Sequence, residues 1–298
     1  MRKIFWWSWV AIAFGMALLI SLPRNQPPSV PSSVVQLPPK KEIRYDSYTL
    51  ASSVVHTLLI PSGSRFSVIP VLSPQLSTVE NFAQKHNAIA VLNGGFFDPQ
   101  NRKTTSYILQ QGSLVADPRL NERLINNSQL VPYLNKILNR SEFRRYRCGA
   151  TFDYDIALHS EPTPMGCQLV DALGGGPSLL PELSLVEEGF QDFADGKVIR
   201  DSLDSDRPNA RSAVGITADG SLLLVMVAQK PETPSTSGMS LKALADFMKT
   251  QGVEKAMNLD GGSSSSLYYQ GKTFSGKVDE QGDPIQRSVF SVLLVEEN

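Results

Sequence analysis

The sequence predicts a mixed α/β fold of the α+β kind: a single domain of mixed sheets with a few helices. Three observations carry this. Short apolar runs rich in β-branched residues recur along the chain, bounded by Gly, Pro, Asn or Asp. Amphipathic helical patterns are few, and strand-helix-strand order occurs twice with hairpins between, which argues against a regularly alternating barrel. Three glycine-rich turns each follow an apolar run: Asn93-Gly94-Gly95-Phe96-Phe97-Asp98, Gly174-Gly175-Gly176-Pro177-Ser178 and Asn258-Leu259-Asp260-Gly261-Gly262-Ser263.

In chain order, Arg2 and Lys3 precede an uncharged, mostly apolar stretch, Ile4 to Leu22, of about the length that crosses a hydrocarbon core. Residues 1–22 read as a membrane anchor or signal segment. The missing small-residue cleavage site favours the anchor, and the positive N-terminus places the rest outside the cytoplasm. Residues 23–40, with prolines at 23, 27, 28, 31, 38 and 39, read as a stiff linker. The folded domain is expected over 41–298.

Within it, strands are expected at Val54–Ile60, Phe66–Leu72, Ala88–Leu92, Tyr107–Leu109, Val214–Ile216, Leu222–Val227 and Val289–Val295. Hairpin turns are expected at Gln111-Gly112, Asp219-Gly220 and Gln270-Gly271. Helices are expected at Thr78–His86, Gln129–Leu138 and Leu241–Thr250, the last capped by Ser240 and ended by Gly252.

Composition excludes some classes. A formal charge of -1 with interspersed signs gives no nucleic-acid footprint, and the cluster Arg140, Arg144, Arg145 and Arg147 reads as a solvated surface segment. The two cysteines, Cys148 and Cys167, lie in the exported region, where an oxidising compartment permits them to pair. Only three histidines occur and C-x-x-C is absent, so no zinc pattern is present, and no metal or cofactor is expected. Asp201, Asp204 and Asp206 lack the glycine and distal glutamate of a calcium loop and read as solvated. G-x-S-x-G, phosphate-loop and H-E-x-x-H signatures are also absent.

Two carboxylates stand out, because Asp98 and Asp260 each adjoin a diglycine turn after an apolar run, where an acid is part-buried yet reaches a ligand. Together they suit the acid and the nucleophile or base of a glycosidase, with the roles open; taken singly, Asp98 reads better as a turn residue and Asp260 as a partner of its own loop's backbone. Arg211, opening the run Arg211-Ser212-Ala213-Val214-Gly215, is the candidate phosphate ligand, with Arg207 four residues earlier as the other choice. Asn93, Gly94, Gly95, Gly175, Gly176, Asn258, Gly261, Gly262 and Ser263 are the expected substrate-binding residues.

These four motifs, in this order, resemble the phosphodiester glycosidase family over most of the chain after about residue 45. The resemblance implies motif loops converging on one pocket and hydrolysis there of a sugar-1-phosphodiester such as an N-acetylglucosamine-1-phosphodiester, with a phosphorylated sugar or glycan as substrate. The anchor and linker suggest work on exopolysaccharide or cell-envelope glycan. Ser263 departs from the family pattern, in which a third glycine is expected, and leaves substrate identity open. The alternative is a non-catalytic envelope module that binds phosphorylated glycans through the same residues.

Overall fold

A computed structural model describes residues 41–298, so the expected anchor at 1–22 and linker at 23–40 lie outside the described residues. Among the described residues no helix is long and apolar enough to cross a membrane.

All strand pairing is antiparallel, which is why the helices are segregated rather than threaded between strands. A six-stranded sheet runs in the order Arg44–Thr49, Val54–Ile60, Leu222–Ala228, Arg211–Thr217, Val253–Asn258, Ser178–Leu180. A five-stranded sheet runs Lys272–Ser275, Ser266–Tyr269, Ala90–Asn93, Val289–Glu297, Phe66–Ser77. A second five-stranded sheet runs Thr151–Leu158, Ser141–Cys148, Cys167–Gly174, Ile108–Gln110, Ser113–Ala116.

Alternation along the strands sorts the apolar residues into layers. Leu222, Leu224 and Met226 face a central core shared by all three sheets, with Leu92, Leu267 and Leu293 from one and Phe143 and Leu173 from another. Leu223, Val225 and Val227 face the other way, onto Leu241, Leu244 and Met248 of the helix Leu241–Thr250. The helix Val79–His86 covers the far face of its own sheet with Val79, Phe82 and Ala83 against Val91, Val292 and Leu294. Central strands buried on both faces are continuous apolar runs for this reason.

The helix termini follow from side-chain capping. Ser240 accepts from the amide of Ala243, and Thr78 from that of Asn81. The three expected hairpins form, and Gln111-Gly112 and Gln270-Gly271 have positive φ at both turn residues.

Two expectations need correction. The helix expected over Gln129–Leu138 is two short pieces, a 3-10 turn Val131–Tyr133 and a single helical turn Leu134–Ile137, because Pro132 lacks the N–H a continuous helix requires. The arginine cluster is not a solvated segment. Arg144, Arg145 and Arg147 lie in the strand Ser141–Cys148 with Arg140 just before it, and although Arg147 is exposed, buried Arg144 pairs with buried Glu142 at 2.9 Å and donates to the carbonyls of Leu158, His159 and Glu161. Cys148 and Cys167, opposite one another on neighbouring strands, form a disulfide.

Candidate active site

The three glycine-rich turns meet where the six-stranded sheet and the sheet carrying Ala90–Asn93 come together. Asn93, at the end of its strand, donates through Nδ2 to the Asp260 carbonyl at 2.7 Å, and its Oδ1 accepts from the Ser212 hydroxyl and the Ser266 amide. The Asp260 amide donates to the Gly94 carbonyl at 3.0 Å. Asn258, ending the strand Val253–Asn258, donates through Nδ2 to the Gly176 carbonyl, while its own carbonyl accepts from the Gly176 amide. Each turn therefore satisfies backbone groups of another, which a buried loop requires.

That knitting explains the glycines. A Cβ on Gly95 would lie 2.3 Å from the Gly174 carbonyl oxygen, and one on Gly175 would lie 2.6 Å from the Met257 methyl and 2.9 Å from the Asn258 oxygen. Gly94, Gly95 and Gly175 thus let backbones touch, and Gly176 makes room for the Glu188 side chain. They do not line the pocket. Gly261 and Gly262 do, together with Phe96, Asn209, Asn258 and Asp260, around a cavity of about 240 Å³.

Asp260 lies part-buried in this pocket, with Oδ1 accepting from the Gly261 amide at 3.0 Å. Burial pushes its carboxyl up to about 6, against the opposing pull of the Ser264 hydroxyl, the Arg287 charge and the Gly261 amide. Arg287 donates to Ser263 Oγ at 3.1 Å, and its guanidinium carbon lies 5.0 Å from the centre of the Phe97 ring. Asn258 Oδ1, buried in the pocket wall, has no hydrogen-bond partner among the described residues.

Two sequence candidates take different places from those expected. Asp98 is not among the pocket's lining residues. Its carboxylate accepts from the Gln100 amide at 2.8 Å and pairs with Arg123 at 2.8 Å. Partial burial would raise its pKa, but these hydrogen bonds outweigh that and hold it below the usual carboxylate range. Such a group holds a turn and gives up no proton near neutrality.

Arg211 borders the pocket, yet four of its five N–H donors already have partners, the backbone carbonyls of Leu203, Asp204, Arg207 and Met239. It is buried, at 3% exposure, and burial lowers its pKa to about 10, which leaves it charged at neutral pH. These bonds hold the segment Leu203 to Arg207 against the strand that Arg211 opens and leave one N–H donor without a partner among the described residues.

Sequence reading missed Arg287, whose charge acts on Asp260 although it is not among the pocket's lining residues. It sits in the polar stretch Asp283 to Ser288, which carries no motif, so only the folded chain brings it to Asp260. Among the described residues no group of three or more His, Cys, Asp or Glu side chains is placed to hold a metal ion.

A profile of the phosphodiester glycosidase family matches residues 86–296. Among solved structures, the chain is similar to the zebrafish N-acetylglucosamine-1-phosphodiester alpha-N-acetylglucosaminidase catalytic domain auto-inhibited by its pro-peptide. The identity is 20%, covering 86% of this chain and 83% of that one, with a TM-score of 0.61. A Synechocystis hypothetical protein shares 14% identity over 85% of this chain and 61% of its own, with a TM-score of 0.54. A Burkholderia pseudomallei protein described as exported shares 17% over 82% and 74%, with a TM-score of 0.51. At these identities the likeness is one of fold. No curated protein sequence matches.

Proposed function

Since the chain belongs to the phosphodiester glycosidase family, we propose that it hydrolyses a sugar-1-phosphodiester, of the N-acetylglucosamine-1-phosphodiester kind, in the pocket that holds Asp260. The observation that carries this is a part-buried carboxyl with its pKa near 6, beside a cation that has no carboxylate salt bridge among the described residues.

In this reading Asp260, ionised above pH 6, takes a proton from water as the water oxygen bonds to C1 of the sugar. The C1–O bond breaks and its electron pair leaves with the phosphate, which departs as a phosphomonoester. A phosphate is a stable anion near neutrality, so its departure needs no proton from a second carboxyl. One carboxylate, Asp260, therefore suffices for the reaction, and the other aspartate that lines the pocket, Asp204, is exposed and takes no part in it. Arg287 balances the charge that gathers on the departing phosphate, and Asn258 Oδ1 offers an acceptor to a sugar hydroxyl.

We place the reaction outside the cytoplasm, on cell-envelope or exported glycan. The Cys148–Cys167 disulfide and the apolar stretch Ile4 to Leu22 support this. The test is release of free sugar from methyl N-acetylglucosaminyl phosphate by the wild type and by Asp260→Asn. Release by the wild type, abolished in a folded D260N, is expected. Binding without release in both proteins would leave the non-catalytic glycan module as the reading.

A further inference from the structure

The Asp260 pocket does not end at its own wall. A larger cleft of about 420 Å³ adjoins it, and Asp204 and Asn209 line both. The first pocket alone is smaller than the roughly 300 Å³ at which ligand sites usually begin. With the cleft, the groove has room for more than one sugar ring.

Both walls of the cleft are held from within. On one side, Arg211 fixes the carbonyls of Leu203, Asp204 and Arg207, so the segment that carries Arg207 is anchored to a buried guanidinium. On the other, Gln229, only 7% exposed, accepts from the Val278 amide, while the Ile285 amide donates to the Lys277 carbonyl. Arg207 and Lys277 reach the cleft from these two walls, and among the described residues neither has a side-chain partner.

The chemistry of the lining selects the ligand. Arg207 and Lys277 are opposed by Asp204, Asp279 and Glu280, so the cleft offers donors and acceptors in mixture and no net positive field. Asp279 Oδ1 is already engaged by the amides of Gln281 and Asp283. Pro208, Pro234 and Ile285 add apolar surface. A polyanion would be poorly served by this mixture. An uncharged sugar ring, with hydroxyls that both donate and accept and with an apolar C–H face, matches it.

We propose that this cleft is a subsite for a second, uncharged sugar residue, so that the substrate is an oligosaccharide or longer glycan bearing the phosphodiester, not a single capped sugar. The proposal rests on the assignment of the Asp260 pocket to a sugar-1-phosphodiester.

The test uses the full chain and the methyl phosphodiesters of N-acetylglucosamine mono-, di- and trisaccharides, with affinity measured by calorimetry and sugar release followed separately. The wild type should bind the extended diesters about tenfold more tightly than the single-sugar diester, and raising sodium chloride should leave that ratio unchanged because no net charge pairing underlies it. In R207A/K277A, and in Ser235→Trp, which fills the cleft, the ratio should fall to about one. R207K/K277R, which keeps both charges, should retain most of it. No preference in the wild type, or a preference that survives both disruptive variants, overturns the proposal. A preference for the extended diesters without release of any sugar would overturn the hydrolase reading and leave the subsite standing.

Discussion

Arg287 donates to the Ser263 hydroxyl across 3.1 Å, a bond that a glycine at 263 could not accept. The one position where the last motif departs from the expected third glycine therefore holds the cation beside Asp260. The Phe97 ring lies near the same guanidinium, so the first and last motifs jointly orient it.

Removing that cation tests its part in the reaction. Arg287→Ala should lower kcat/KM by about 10²–10³, the range for losing a preorganised donor to a departing anion. Arg287→Lys should recover only part of the loss, because an ammonium lacks the planar fork. Ser263→Gly should cost about tenfold or less, as expected for one hydrogen bond. Steady-state kinetics on methyl N-acetylglucosaminyl phosphate reads all three, and an Arg287→Ala enzyme with unchanged kcat/KM contradicts the assignment.

Asp260→Asn should lower kcat by about 10²–10⁴, the range for losing a general base. In the wild type, kcat/KM should rise with pH through about 6, the value to which burial pushes Asp260, and then level off. A pH–rate profile flat between pH 4.5 and 7.5 would remove Asp260 from the base role.

The same shift has a stability consequence. A carboxyl raised to about 6 in the folded state, from its ordinary 3.8, favours folding while protonated, and that contribution is lost as pH rises from about 4 through 6. Asp260→Asn should therefore raise the melting temperature at pH 7.5 and have little effect at pH 4. Melting curves at the two pH values check the sign.

Asp98 should behave in the opposite way. Its carboxyl is held low, so its contribution to folding is present above about pH 4 and lost as pH falls below that. Asp98→Asn should destabilise the protein at neutral pH by about 1 kcal/mol, with sugar release retained. A loss of turnover comparable to that of Asp260→Asn would restore Asp98 to the chemistry.

Arg211→Ala leaves four backbone carbonyls without their donor and should destabilise the fold by about 3 kcal/mol or more. Denaturant unfolding measures this. Arg211→Lys should also be poorly tolerated, since one ammonium has three donors and no fork.

Much of this fold was legible because burial on both faces writes long apolar runs. Val54–Ile60 and the helix Leu241–Thr250, with its Ser240 cap, have the bounds that their patterns indicate. The strands Ser141–Cys148 and Thr151–Leu158 were obscured because their charged residues are matched in space, Arg144 with Glu142 and Lys255 with Asp155, and such pairing leaves no periodic signal. At the site, the convergence of the turns was expected from the family resemblance that their glycine-rich sequences carry. The division of labour within them was not. Whether an arginine faces a ligand or four carbonyls depends on the path of distant backbone, as Arg211 shows, and Arg287 comes from a stretch with no pattern of its own.

The strand Val289–Glu297 lies inside its sheet, between Ala90–Asn93 and Phe66–Ser77, with Glu297 opposite Phe66. A chain emerging in order from a ribosome or a membrane pore therefore presents Ala90–Asn93 and Phe66–Ser77 long before the strand that joins them exists. Asn93, which holds the Asp260 carbonyl, lies opposite Val292 of that late strand. Until that strand arrives, the facing edges of the two earlier strands are unpaired, and unpaired edges are where strands join the wrong neighbour.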